Sequence, residues 1–168
     1  MKYILAFIIT AIVILLYGNM DRTHQAEPVR RIAPAEDDEI KVVALTLFGE
    51  ARSQTIRGKR AVASVIYNRA NGNAKLFKKV CLEKRQFSCW NQNDPNSRIL
   101  HNVNVRKMSN SDRKSYGECI VVAQSMFAGK FQPSVSSQHY ATKQVNPYWA
   151  RRMMVEVVIG NHVFYRRV

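Results

Sequence analysis

Apolar side chains recur three and four residues apart at Ile40, Val43, Ala44, Leu47 and Ala51, then again at Ala61, Val62, Val65 and Ile66. That spacing belongs to helices, and two such runs in succession commit the chain to a mainly helical body. Glu36, Asp37, Asp38 and Glu39 open the first run, where the positive end of a helix dipole favours acids. The pattern predicts helices over residues 35–52 and 56–70, the second closed by Asn71-Gly72-Asn73. Residues 74–90 read as a shorter helix or turn. Residues 91–110, rich in Asn, Ser and Asp and containing Pro95, read as a loop. Ser111-Asp112 can cap a third long helix that carries Tyr116, Ile120, Ala123 and Phe127 and ends at Gly129. From Val155 to Tyr165 the chain alternates on either side of Gly160-Asn161, as a small hairpin does. The expected fold class is mainly α (α+β), with a small C-terminal β-hairpin.

The 168 residues suggest one domain plus appendages, and 46% apolar content is enough for one core. Residues 3–17 are apolar almost throughout and follow Lys2. Such a run matches an export signal or an N-terminal apolar helix that anchors the chain in the membrane, with Tyr3 and Tyr17 at its ends. Both outcomes place the body outside the cytoplasm, in the periplasm or cell envelope. Residues 1–20 are thus read as signal peptide or anchor, 21–35 as a polar linker with Pro28 and Pro34, and 36–168 as the folded domain. An oxidising compartment permits one disulfide among Cys81, Cys89 and Cys119, with Cys81–Cys89 closing a short loop.

The net charge of +14 draws the protein toward polyanions: nucleic acid, anionic lipid or an acidic wall polymer. The basic residues are scattered, and no nucleic-acid motif is present, so a nucleic-acid partner is not expected. The cysteine and histidine spacings match no zinc site, and no metal is expected.

Glu50 stands out. It lies about 280° round the first helix from Ile40, beside Val43 near about 300° and Leu47 near about 340°. It therefore borders the apolar stripe. Partial burial disfavours an ionised carboxylate, and an acid kept protonated is what cleavage of a glycosidic bond needs. The competing reading is an ion pair with Arg52, Arg57 or Arg69. Most glycosidases use two carboxylates. The other acids, Glu83, Asp94, Asp112, Glu118 and Glu156, offer no evident partner. One acid suffices if the substrate brings its own nucleophile, as the muramic acid 6-hydroxyl of peptidoglycan can.

The stretches FGEAR, GKRAVASVIYNR, QFSCW, HYATKQVNPYWARRM and IGNHVFYRR occur in that order. Together they resemble the SleB-like cell-wall hydrolases, the family of the spore cortex-lytic enzymes, over residues 40–167. The resemblance implies a compact lysozyme-like domain that cleaves peptidoglycan glycan strands, largely as a lytic transglycosylase, with Glu50 as the catalytic acid. It also implies a groove in which Gln86, Ser88 and His139 contact the saccharide, Tyr140 contacts it or orients Glu50, and Trp90 stacks on a sugar ring or belongs to the core. Asn68, Arg69, Trp149 and His162 are expected to support it, Arg69 by bracing the acid and Asn68 as a helix cap. Peptidoglycan is then the partner, the domain acts as a monomer, and no cofactor is implied. Hydrolytic muramidase action and wall binding without turnover are the alternatives.

Overall fold

The computed structural model describes residues 34–168, and the readings for residues 1–20 and most of the linker fall outside them. Five α-helices come first: α1 (Pro34–Ala51), α2 (Ile56–Arg69), α3 (Phe77–Leu82), α4 (Pro95–His101) and α5 (Asn110–Phe127). Three strands follow: β1 (His139–Thr142), β2 (Met153–Ile159) and β3 (His162–Arg167). They form one antiparallel sheet in the order β1-β3-β2. The expected mainly helical class and C-terminal hairpin are both present. Among the described residues no helix is long and apolar enough to cross a membrane.

Helix α1 is the centre of the core, packed against α2, α3 and α5. From Val43 to Phe48 every residue of α1 is buried. This differs from the single stripe read from the spacing. Leu45 and Thr46 are covered as well, Thr46 because its hydroxyl bonds Val42 O at 2.9 Å and accepts the Trp90 indole N–H at 2.9 Å. A polar side chain satisfied in this way can sit inside a core. Phe48 meets Tyr116 of α5 edge-on, with ring centroids 5.6 Å apart. Past Phe48 the helix leaves this buried stretch at Gly49 and Glu50, which are half-buried.

Several local expectations need correction. Residues 95–101 form helix α4: Asp94 caps it through Asn96 N at 2.8 Å, and Pro95 takes the first position, where a missing N–H costs nothing. The α5 cap is Ser109, whose hydroxyl accepts Asp112 N at 3.0 Å. Asn68 caps nothing. Ala70 ends α2, and Asn71 and Gly72 turn the chain with positive φ. No disulfide forms: Cys81, Cys89 and Cys119 are buried free thiols. Cys89 packs against α1, its Sγ directed at Thr46 O. Burial pushes the Cys81 and Cys119 thiols up to about 12.

Lys59 of α2 is buried, and its ammonium bonds Glu118 of α5 at 2.7 Å and Gln54 O at 2.9 Å. Removing one partner of such a pair leaves a charge stranded. Glu118→Ala is expected to lower the unfolding free energy by about 3 kcal/mol, read from denaturant melts. Replacing Lys59 and Glu118 together by apolar residues is expected to cost less.

Candidate active site

Glu50 faces a cleft of about 610 Å³. Its walls come from the end of α1, the 3-10 turn Ser88–Trp90, strand β1 and the segment from Val145 to Trp149. The carboxyl is held on both oxygens. Oε1 accepts Cys89 N–H at 3.0 Å and the Ser88 hydroxyl at 3.4 Å, the latter a long bond. Oε2 accepts the Tyr140 hydroxyl at 2.8 Å. Among the described residues no arginine pairs with it. Among the described residues the ion pairs are Lys59–Glu118 and Lys78–Asp38.

Gly49 explains how the Ser88–Trp90 turn comes so close. A Cβ at position 49 would lie 2.6 Å from Cys89 Cβ and 3.0 Å from Leu100 Cδ1. Only glycine lets the turn settle on α1 and aim Cys89 N–H at the carboxyl. The Cys89 thiol takes no part as a thiolate, because burial and the nearby Glu50 charge push it far above its usual range.

Tyr140 reaches Glu50 from β1, paired opposite Phe164 of β3. Its ring lies 5.7 Å from Phe164 and edge-on to His162 at 5.1 Å. Burial, then the charge of Glu50, raises the phenol well above its ordinary value, so it stays a donor. The end of α2 fixes the approach to β1. Asn68 Nδ2 donates to Val135 O and Ser137 O, both at 2.9 Å, and Arg69 Nε donates to Gln138 O at 2.8 Å. Arg69 therefore braces the strand that carries Tyr140 and makes no direct bond to the acid. Its guanidinium stacks 5.0 Å over the Phe87 ring.

Glu156 does matching work from the other side, a role that no local pattern announces. The pairing of β2 with β3 slips between Val155 and Val157, and Glu156 is the extra residue of that bulge. Its carboxylate accepts Ser136 N at 2.7 Å and the Ser137 hydroxyl. Burial raises its pKa, but the bonds from Ser137 and Ser136 outweigh this and hold it below the usual value. A carboxylate depressed on folding stabilises the fold above its unfolded pKa, and the gain is lost as pH falls through the folded value. Thermal melts between about pH 6 and pH 3 should therefore fall more steeply for the native protein than for Glu156→Gln. Equal slopes would remove Glu156 from this role.

The other expected site residues divide. Gln86, Ser88, His139, Tyr140, Trp149 and His162 line the cleft, as do Arg69, Arg85, Asn91 and Asn96. Trp90 does not: its indole is tethered to Thr46 and packs edge-on to His101 at 5.9 Å. His139 and Trp149 lie 5.6 Å apart, and Trp149 meets Tyr165 edge-on at 5.4 Å. His162 is buried, with Nδ1 unbonded. Burial lowers both histidines, helped at His139 by Arg69 and Arg167 and opposed at His162 by Glu50. Asn91 and Asn96 escaped sequence reading because isolated polar residues in an Asn-rich stretch look like any loop, and Arg85 because one basic residue among many carries no signal.

Among the described residues lining the cleft, Glu50 is the one carboxylate. Asp94 is engaged as the α4 cap, and Glu83 lies outside the lining. The family model described as Cell Wall Hydrolase matches residues 53–165, beginning just past Glu50. Searches of curated proteins and of solved structures each found no match. The matched segment supplies the strand, turn and hairpin that enclose the acid, and it spans most of the chain, which belongs to the SleB-type cell wall hydrolase family whose substrate is peptidoglycan.

Proposed function

We propose that the protein cleaves the glycan strand of peptidoglycan between N-acetylmuramic acid and N-acetylglucosamine, as a lytic transglycosylase with Glu50 as the single acid and base. The observation that carries this reading is the cleft with one carboxyl, held on both oxygens, and no second acid among its described lining residues. Most inverting and retaining hydrolases use a second carboxylate, to activate water or to form a glycosyl intermediate. Here the substrate supplies the nucleophile. The Glu50 carboxylic acid gives its proton to the glycosidic oxygen as the bond to the muramic anomeric carbon breaks. The carboxylate then takes the proton of the muramic 6-hydroxyl as that oxygen bonds the same carbon. A 1,6-anhydro end forms, and no water enters.

The hydrogen bonds around Glu50 suit both halves of this cycle. Cys89 N–H can only donate, so it keeps Oε1 an acceptor. The Tyr140 and Ser88 hydroxyls can turn to donate or accept. The proton thus belongs on Oε2, and neither contact need break when it leaves. Arg69 and Arg85 give the cleft a positive wall that suits the carboxylates of muramyl peptides.

Tyr140→Phe keeps the ring packing and removes one bond to the acid. A hydrogen bond to a charged group contributes about 1.5–3 kcal/mol, so turnover should fall roughly tenfold to a hundredfold, with little change in melting temperature. The test of the reaction class is mass spectrometry of purified peptidoglycan after digestion. Anhydro-muropeptides are expected, each one water lighter than its hydrolytic counterpart. Reducing muramic ends would instead make the protein a muramidase, and binding without any release would make it a wall-binding module.

A further inference from the structure

Strand β2 is the sheet edge farther from the Glu50 cleft, because the order β1-β3-β2 puts β3 between it and the strand that carries Tyr140. Its register with β3 sorts its side chains. Val157 and Ile159 lie opposite Phe164 and His162, which are buried, whereas Val155 and Val158 lie opposite Tyr165 and Val163 on the other face. Val155 is 56% and Val158 47% exposed. Tyr148, in the 3-10 turn Tyr148–Arg152 that packs beside β2, is 85% exposed. Four exposed arginines flank these side chains, Arg151 and Arg152 in that turn and Arg166 and Arg167 at the end of β3. Among the described residues none of the four is in an ion pair. We infer that this face docks on an anionic phospholipid bilayer, a contact made by the folded domain itself and distinct from any N-terminal anchor.

The occupant follows from the chemistry of the face. Grouped apolar side chains left in water mark an interaction surface. Arginines around them suit a bilayer interface: the guanidinium forks bind phosphates, and the aliphatic side chains enter the acyl boundary below the headgroups. An exposed tyrosine fits the headgroup level. Residues 139–168 carry five basic residues against one acid, Glu156, and Ser136 and Ser137 already bond that acid. An anionic wall polymer would meet the arginines but would give Val155 and Val158 no apolar surroundings. A second copy of the chain fits worse. The Glu156 bulge interrupts the ladder that an edge strand offers, and a two-fold pairing would set the same arginines against each other. Read as anchor and linker, residues 3–17 and 21–35 would also keep the domain within roughly 20 Å of a bilayer. A bilayer seated on β2 leaves the cleft beyond β1 open. The inference stands whichever way the cleavage reading falls.

The test uses the full chain with a fluorescent dye on Val158→Cys. Cys81, Cys89 and Cys119 are buried, so the dye goes to the new thiol. A dye on Val121→Cys, at an exposed position of α5, is the control. The chain is reconstituted with vesicles of phosphatidylglycerol and phosphatidylcholine, or of phosphatidylcholine alone, with a quencher on the acyl chains. In the anionic vesicles the dye at position 158 should be quenched at least threefold more than the control, and in the neutral vesicles the two should match. Each arginine near an anionic surface strengthens binding about fivefold, so Arg151→Glu with Arg152→Glu should abolish the excess quenching. Arg166→Glu with Arg167→Glu should do the same, which separates lost docking from a local folding defect. Equal quenching at both positions in anionic vesicles overturns the proposal, as does an excess that persists in neutral vesicles or in both arginine variants. Burial of the dye at position 158 as protein concentration rises without lipid also overturns it, and assigns the face to a second copy.

Discussion

Glu50→Gln should remove cleavage of peptidoglycan almost completely, with turnover lowered roughly a thousandfold or more. The substitution is nearly isosteric, and an amide can still accept Cys89 N–H through its oxygen. It cannot deliver a proton to a glycosidic oxygen or take one from a muramic hydroxyl. The melting temperature should stay close to that of the native protein, because among the described residues no ion pair involves Glu50. Binding of glycan should survive. The readout is the release of soluble muropeptides together with a thermal melt. A variant that still releases them at the native rate would move the acid elsewhere.

The second large effect is expected at Gly49. A methyl there would meet Cys89 Cβ at 2.6 Å and Leu100 Cδ1 at 3.0 Å. The obstacle is a buried Cβ fixed to its own backbone, so the Ser88–Trp90 turn must move outward. Overpacking of this kind costs about 1–3 kcal/mol. For a domain of this size that lowers the melting temperature by several degrees. Catalysis should fall further than stability explains. Moving the turn withdraws Cys89 N–H and Ser88 from Oε1, leaving Tyr140 alone to orient the acid. Gly49→Ala should therefore show both a lower melting temperature and a turnover loss that persists well below the melt. Loss confined to temperatures near the melt would make Gly49 a packing residue only.

The contrast between what the chain spells out and what it hides follows from distance along the sequence. Helices α1, α2 and α5 were legible because each repeats an apolar pattern over several turns, and Gly129 and Asn71-Gly72 mark two ends plainly. The hairpin was legible because its turn residues are local. Strand β1 was not: its four residues become a strand only by pairing with β3, 20 to 26 positions later. Helix α4 hid inside an Asn-rich stretch whose composition reads as loop, although the Asp94-Pro95 pair is a start signal. Thr46 is satisfied inside the core by Trp90, a contact between residues no local pattern connects.

The site divides in the same way. Glu50 could be singled out because an acid at the edge of an apolar run is anomalous by itself. The resemblance also brings Ser88 and Tyr140 to the groove, whereas Cys89 and Gly49 stay hidden, since Cys89 acts through its backbone and Gly49 through the absence of a side chain. Arg69 was assigned the right neighbourhood and the wrong contact: it holds Gln138 O, and so Tyr140, instead of the carboxyl. Glu156 lies on a bulge, and a bulge leaves no trace in an alternating pattern until the partner strand is known.

Digestion of purified peptidoglycan in heavy-oxygen water tests the central claim most directly. If the muramic hydroxyl is the nucleophile and Glu50 the lone acid and base, the new muramic ends carry no label and each product is lighter by one water. Label at the anomeric carbon of those ends would mean that water attacked, and that a second base, absent from the cleft described here, completes the site.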